Sequence, residues 1–363
     1  MKKLAIAILS VLLVSATAYS ASWEILGDQG FNDHYSTKHK IAVHPKTQEV
    51  YVAFKDFNHS NKATVKKFNG SSWEVVGTTG FSIGEIGNGR IGFTFNPLTN
   101  EPYLAYEDWS NSNRISVMRF NGSSWTSVGI PGFSKGRVTD ISIAFNPKTN
   151  EPYVAYESGT KITVMKFDGQ SWINVGNPEF GGAANEFVSG VDIAFDASEP
   201  YVTYSIHSSG RILVVKLHAN SWIDFGNTGA NYVNVFTPSI LFQPTTNVPY
   251  VIYGYDGGIE VIKFNGEWKS VGKEISNTHS WLDMSMGFNP KTQEPYVAFQ
   301  DYSKYFKLTV KKFNGKYWSP IDLPGFSSGA VSDIAMTFDK NGIAYITFHD
   351  HSLDKSIVIK LNP

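Results

Sequence analysis

Cysteine is absent from the 363-residue chain, which excludes disulfides, thiolate metal centres and a cysteine nucleophile. Charge is sparse: Asp, Glu, Lys and Arg make up 17% of the residues, against about a quarter in an average soluble domain. The 31 Lys and Arg nearly cancel the 32 Asp and Glu, for a net charge of −1, and only five of the cations are Arg. That balance leaves no basic footprint for nucleic acid or an anionic membrane. Convincing helical periodicity is missing throughout. No apolar run is long enough to span a bilayer. The run from Leu4 to Val14 has eleven residues and is broken by Ser10. With Met1-Lys2-Lys3 before it and Ala16-Thr17-Ala18 (or Ala18-Tyr19-Ser20) after it, residues 1–20 read as a secretory signal peptide of bacterial style. The expected location is therefore secreted or periplasmic, without membrane insertion.

What the chain has in abundance is glycine, 32 residues, and aromatics, 14%. They recur together. Trp stands at 23, 73, 125, 172, 222, 268 and 318, spaced 50, 52, 47, 50, 46 and 50 residues apart. The phrase around Trp125 is typical: Asn121-Gly122-Ser123-Ser124-Trp125, then Val128-Gly129, then Gly132-Phe133, Ile141 to Phe145, Asn146-Pro147-Lys148-Thr149-Asn150-Glu151-Pro152, Tyr153-Val154-Ala155-Tyr156 and Ile162 to Phe167. Asn-Pro-x-Thr is a type I turn signature. Glu-Pro places Pro at the first residue of a strand, where its missing N–H does little harm. Tyr-Val-Ala-Tyr is apolar on both faces, as a strand sandwiched between neighbouring sheets requires. Phe-Asn-Gly reads as a tight hairpin turn.

Four short strands in a period near 50 mean a propeller blade. Length alone suggests two or three domains; the repeat replaces them with one ring. The C-terminal Ile359-Lys360-Leu361-Asn362-Pro363 stops in the turn before a Trp strand, and Ser22-Trp23-Glu24-Ile25 supplies that strand. The expected fold is an all-β, seven-bladed β-propeller of four-stranded antiparallel blades over residues 21–363, closed by the N-terminal Trp23 strand completing the last blade. Closure removes the sheet edges.

The seven copies differ mainly in the connections from fourth strand to next blade and from second to third strand, which share one face. Variable loops on a repeated scaffold are where binding resides. Subtracting the seven in-register Trp leaves Trp109 and Trp281, both on that face. Second strands end in Asp56-Phe57, Asp108-Trp109, Asp301-Tyr302 and Asp350-His351 in blades 1, 2, 6 and 7, which are contiguous in a ring. His34, Tyr35, His39, His59, His279, Tyr305 and His349 fall in the same sector. Aromatic faces beside carboxylates suit sugar rings; alternatively each Asp closes its own turn by an Asx-type bond. The inner strands begin at Lys38, Arg90, Asp140, Gly190, Thr237, Asp283 and Asp333, expected to ring the channel mouth, where they either grip a polar ligand or pair with one another.

Other motifs carry less. Gly80-Phe81-Ser82-Ile83-Gly84, Gly132-Phe133-Ser134-Lys135-Gly136 and Gly325-Phe326-Ser327-Ser328-Gly329 match G-x-S-x-G, but lack the strand–turn–helix context of a nucleophile elbow. They read as turns whose Phe plugs between blades. Gly70-Ser71-Ser72-Trp73 matches the end of a sialidase Asp-box, with Phe68 in the Asp position and too few Arg for that activity. His349-Asp350-His351 has a spacing that can hold a metal, yet His349 shares a column with Lys55, Glu107, Glu157, Ser205, Gly254 and Gln300, taken as solvated. No metal or cofactor is assigned.

The repeated Trp-x-x-Val-Gly resembles tectonin-type lectin propellers over a few residues per repeat. The reading is a non-catalytic binding propeller, monomeric, recognising glycan or a protein surface through Asp56, Phe57, Asp108, Trp109, Trp281, Asp301, Tyr302, Asp350, His351, His34, Tyr35 and Arg90. The alternatives are a polysaccharide lyase or hydrolase using His34, Tyr35, His279, His349 or Tyr302 for proton transfer, and an assembly scaffold.

Overall fold

Each repeat folds as one antiparallel sheet, because its four strands are too short and too apolar to be stable except against another sheet. The computed structural model describes residues 22–27, 30–32, 34–183, 186–232, 234–273, 275–276 and 283–362. Residues 1–20, His279 and Trp281 lie outside them. The described residues form seven four-stranded sheets arranged as a ring, with no α-helix. The inner strands are Ser36–Val43, Gly92–Phe95, Asp140–Phe145, Val188–Phe195, Val235–Phe242, Met284–Phe288 and Val331–Phe338. The second strands, such as Val50–Asp56 and Pro102–Asp108, are buried along their length, the consequence of sheets on both sides.

Closure follows the expected route. Strand Ser22–Ile25 pairs antiparallel with the C-terminal Lys355–Asn362, placing Trp23 opposite Leu361, and so completes the blade begun by Val331–Phe338. Six in-register indoles then stitch blade to blade. Trp73 donates to the Leu26 carbonyl, Trp125 to Val76, Trp172 to Val128, Trp222 to Val175, Trp268 to Phe225 and Trp318 to Val271, all at 2.7–2.9 Å. The residue after each acceptor is glycine, and a Cβ at Gly77 or Gly129 would lie 3.0 Å from the next indole. Asp322 occupies this place at the closing seam, and there the buried Trp23 nitrogen has no partner. The seventh stitch is therefore missing at the one seam where aspartate stands in place of glycine.

Two local readings are refined. In the Phe-Asn-Gly turn it is the Asn side chain that closes the loop. Asn69 Oδ1 accepts from the Ser71 and Ser72 amides, and only Gly70 takes positive φ. The repeated Phe does plug between blades: Phe81 stacks on Trp125 at 4.0 Å and Phe133 on Trp172 at 4.4 Å. The following serine is spent on its own loop, since Ser82 accepts from the Ala63 amide and donates to the Gly84 carbonyl. It is therefore no nucleophile.

Candidate functional site

The four Asp residues that end second strands are buried, at 6% exposure or less, and hold turns. Asp56 accepts from the Asn58 amide, His59 and Thr64. Asp108 accepts from Ser110 (amide and hydroxyl), Asn111 and Ser116. Asp301 takes Ser303 and Thr309, and Asp350 takes Ser352, Leu353 and Gly329. Of the two readings open for these carboxylates, the geometry fits the turn-closing one. Their oxygens are committed inward, so a ligand on this face would meet the residues that follow them.

Those residues are pushed outward. Three of the turns are single 3-10 segments, Phe57–His59, Trp109–Asn111 and Tyr302–Lys304, each N-capped by its Asp. Phe57 and Trp109 are each 42% exposed and Tyr302 46%. Across blades 7, 1 and 2 the rings form a row. His351 meets His349 at 4.9 Å, His349 meets Tyr35 at 4.8 Å, and Tyr35 meets Phe57 at 5.1 Å. The Lys55 ammonium then lies 5.6 Å from the Phe57 ring and 5.3 Å from the Trp109 ring, bridging them by cation–π contacts. Tyr302, in blade 6, meets Phe306 at 5.1 Å. His34 is exposed beside the row.

The second-strand column holding His349 is buried rather than solvated, which corrects the sequence expectation. His349, Lys55, Glu107, Glu157 and Ser205 are all 8% exposed or less. Three of them reach a connection that crosses over them: Lys55 donates to the Gly87 carbonyl, Glu107 accepts from the Asn88 amide, and Glu157 accepts from Thr139. Burial pushes the Glu157 carboxyl up to about 7. Beneath Tyr35, two histidines join through serines. His39 meets Ser36 at 2.9 Å, Ser36 meets Ser356 at 2.7 Å, and Ser356 meets His349 at 3.2 Å. Burial, and then the neighbouring His349, depress His39 to about 3, so both rings are held neutral.

Inside the row lies the channel mouth, a cavity of about 160 Å³ lined by Lys38, Lys40, Arg90, Thr237, Asp283 and Asp333. Five of the seven expected mouth residues line this cavity, and a sixth, Asp140, is gripped by Arg90 through Nε and Nη2, the Nε–Oδ1 distance being 2.9 Å. The carboxylates link blades in sequence, Asp283 accepting the Asp333 amide and Asp333 the Lys38 amide, both at 2.6 Å. Bulges in blades 1, 4, 5 and 7 aim these residues inward, and Lys38, Thr237 and Asp333 hold φ of 60°, 41° and 55° without being glycine. Left-handed backbone costs roughly 1–3 kcal/mol at such residues and clusters where function fixes the chain. Sequence reasoning did not single out Lys40, Lys55 or the bulges; a bulge shifts the strand alternation by one residue and leaves no residue-type signature here.

No protein-family model matches the chain, and no curated protein matches it. Solved structures share the fold. A polysaccharide lyase, an ulvan lyase of a new family, superposes with a TM-score of 0.63 at 12% identity over 93% of this chain and 94% of the other. The extracellular domain of a one-component system from B. thetaiotaomicron gives 0.58 at 12% identity, over 92% of this chain and 39% of that one. The Aleuria aurantia lectin in complex with Fucα1-6GlcNAc gives 0.50 at 17% identity, over 83% and 100%. At these identities the likeness is one of architecture, and it includes lectin propellers.

Proposed function

We propose that the protein is a glycan-binding propeller, exported by its leader, whose ligand lies along the aromatic row of blades 7, 1 and 2. The observation that carries this is the exposed run Tyr35, Phe57 and Trp109 with Lys55 held between the last two rings. Sugar rings stack their C–H faces on such platforms, and turns anchored by buried carboxylates keep the platforms rigid, which lowers the entropic cost of binding. That a lectin and a polysaccharide lyase share the architecture supports the ligand class. Asp56, Asp108, Asp301 and Asp350 then serve as positioning residues rather than contacts.

A second reading, polysaccharide β-elimination or hydrolysis, draws on the Tyr35–His349 contact. Tyr35 has its hydroxyl pKa raised by burial and by Asp333 and Asp354, which keeps the phenol protonated. The test is a panel of neutral and acidic polysaccharides, ulvan included, scored in parallel for binding and for unsaturated or reducing-end products. Binding without product is the expected outcome. Product formed by wild type and lost in Tyr35→Phe would establish the enzyme reading instead.

A further inference from the structure

The channel holds a cation, Lys40, on which three carboxylates, Asp192, Asp140 and Asp283, act only from beyond ion-pair distance. Lys40 lines both the mouth cavity and a second cavity of about 230 Å³ below it, with Arg90 beside it in both linings. Among the described residues no carboxylate oxygen lies within 4.0 Å of its ammonium, and it makes no hydrogen bond to protein. The nearby carboxylates are engaged elsewhere. Asp140 is taken by Arg90. Asp192 accepts from Ser142, Ser239 and the Ile240 amide. Burial, and then the charge of Arg90, lower the Lys40 pKa against the opposing pull of Asp192, Asp140 and Asp283, and an adjacent anion would offset that cost. Nearer the entrance, Asp283 and Asp333 offer acceptors for hydroxyl groups, while Thr237 and Ser239 add hydroxyls of their own.

We infer that the channel mouth binds the anionic substituent of an acidic sugar unit, a carboxylate or a sulfate ester, with Lys40 and Arg90 on the anion and Asp283 and Asp333 on the ring hydroxyls. This rests on the glycan reading and deepens it. The aromatic row would carry the neighbouring units, since Tyr35 lies close enough to Asp333 to feel its charge.

The test uses the full chain and four short oligosaccharides by titration calorimetry: an oligouronate, its carboxyl-reduced form, a sulfated oligosaccharide and its desulfated form. Wild type is expected to bind at least one acidic member about tenfold more tightly than its neutral partner, the scale of a hydrogen bond to a charged group. Which pair shows the preference distinguishes carboxylate from sulfate. Lys40→Met is expected to bring the two members of that pair to parity, and Lys40→Arg to keep the preference. Equal binding of acidic and neutral forms by wild type would overturn the inference while leaving the glycan reading standing. A preference that survives in Lys40→Met would do the same. If no oligosaccharide binds, the glycan reading fails. Inorganic sulfate then decides the channel: a rise in melting temperature in wild type and none in Lys40→Met keeps the anion site, and equal rises remove it.

Discussion

Asp108 and Trp109 are chain neighbours with opposite tasks, and the contrast recurs around the rim. Asp108 is fully buried and takes hydrogen bonds from Ser110, Asn111 and Ser116, whereas Trp109 stands 42% exposed. Asp108→Ala strands those donors and is expected to cost about 2–4 kcal/mol in denaturant unfolding. Trp109→Ala, which gives up one cation–π contact with Lys55, is expected to change stability by less than about 1 kcal/mol. The residue types Asp, His and aromatic were legible in the sequence, but which of them point inward was not. An Asx turn and a ligand-facing Asp have the same spelling, and only burial separates them. The buried His39 makes a pH prediction. Its folded pKa of about 3 lies below the ordinary 6.5, so the unfolded chain binds the extra proton. Its contribution is fully present above pH 6.5 and is lost as pH falls toward 3, at about 1.4 kcal/mol per pH unit once well below 6.5. His349 is shifted the same way and adds to the loss. Unfolding free energies from pH 7 to 5 should fall more steeply for wild type than for His39→Gln; equal slopes would show that His39 is not held neutral.

Among the elements, the N-terminal strand is the one whose loss reaches furthest. It completes the last blade, and its neighbour Leu26 is buried and supplies the carbonyl that receives Trp73. Deleting residues 22–27 therefore empties the Trp23 place, exposes the edge of Lys355–Asn362 and orphans the Trp73 indole. The expected loss is about 4–6 kcal/mol, from apolar burial and one unmade hydrogen bond. An unchanged melting temperature would contradict closure by this strand. The strand pattern itself was readable because every repeat spells it with the same turn residues. The missing seventh stitch was not read from the sequence: Asp322 stands where the other repeats carry glycine, and the unpartnered indole is almost 300 residues away.

At the scale of the whole molecule, seven similar blades produce one asymmetric face. The ring is built from what the repeats share, and the candidate site from where they depart: Tyr35, Phe57, Lys55 and Trp109 over a charged channel mouth. The opposite face carries the repeated turns and its own exposed aromatic, Tyr317, at 56%. That residue is the natural control, because it differs from the row in position and not in kind. The most direct measurement is the affinity of a glycan selected from the panel for wild type, for the double variant Phe57→Ala/Trp109→Ala and for Tyr317→Ala, with melting temperatures recorded alongside. Loss of two stacking platforms should weaken binding at least about tenfold at unchanged melting temperature, at roughly 1 kcal/mol or more each. Tyr317→Ala should bind as wild type does. Undiminished binding by the double variant, or an equal loss in Tyr317→Ala, would contradict a binding site on the row.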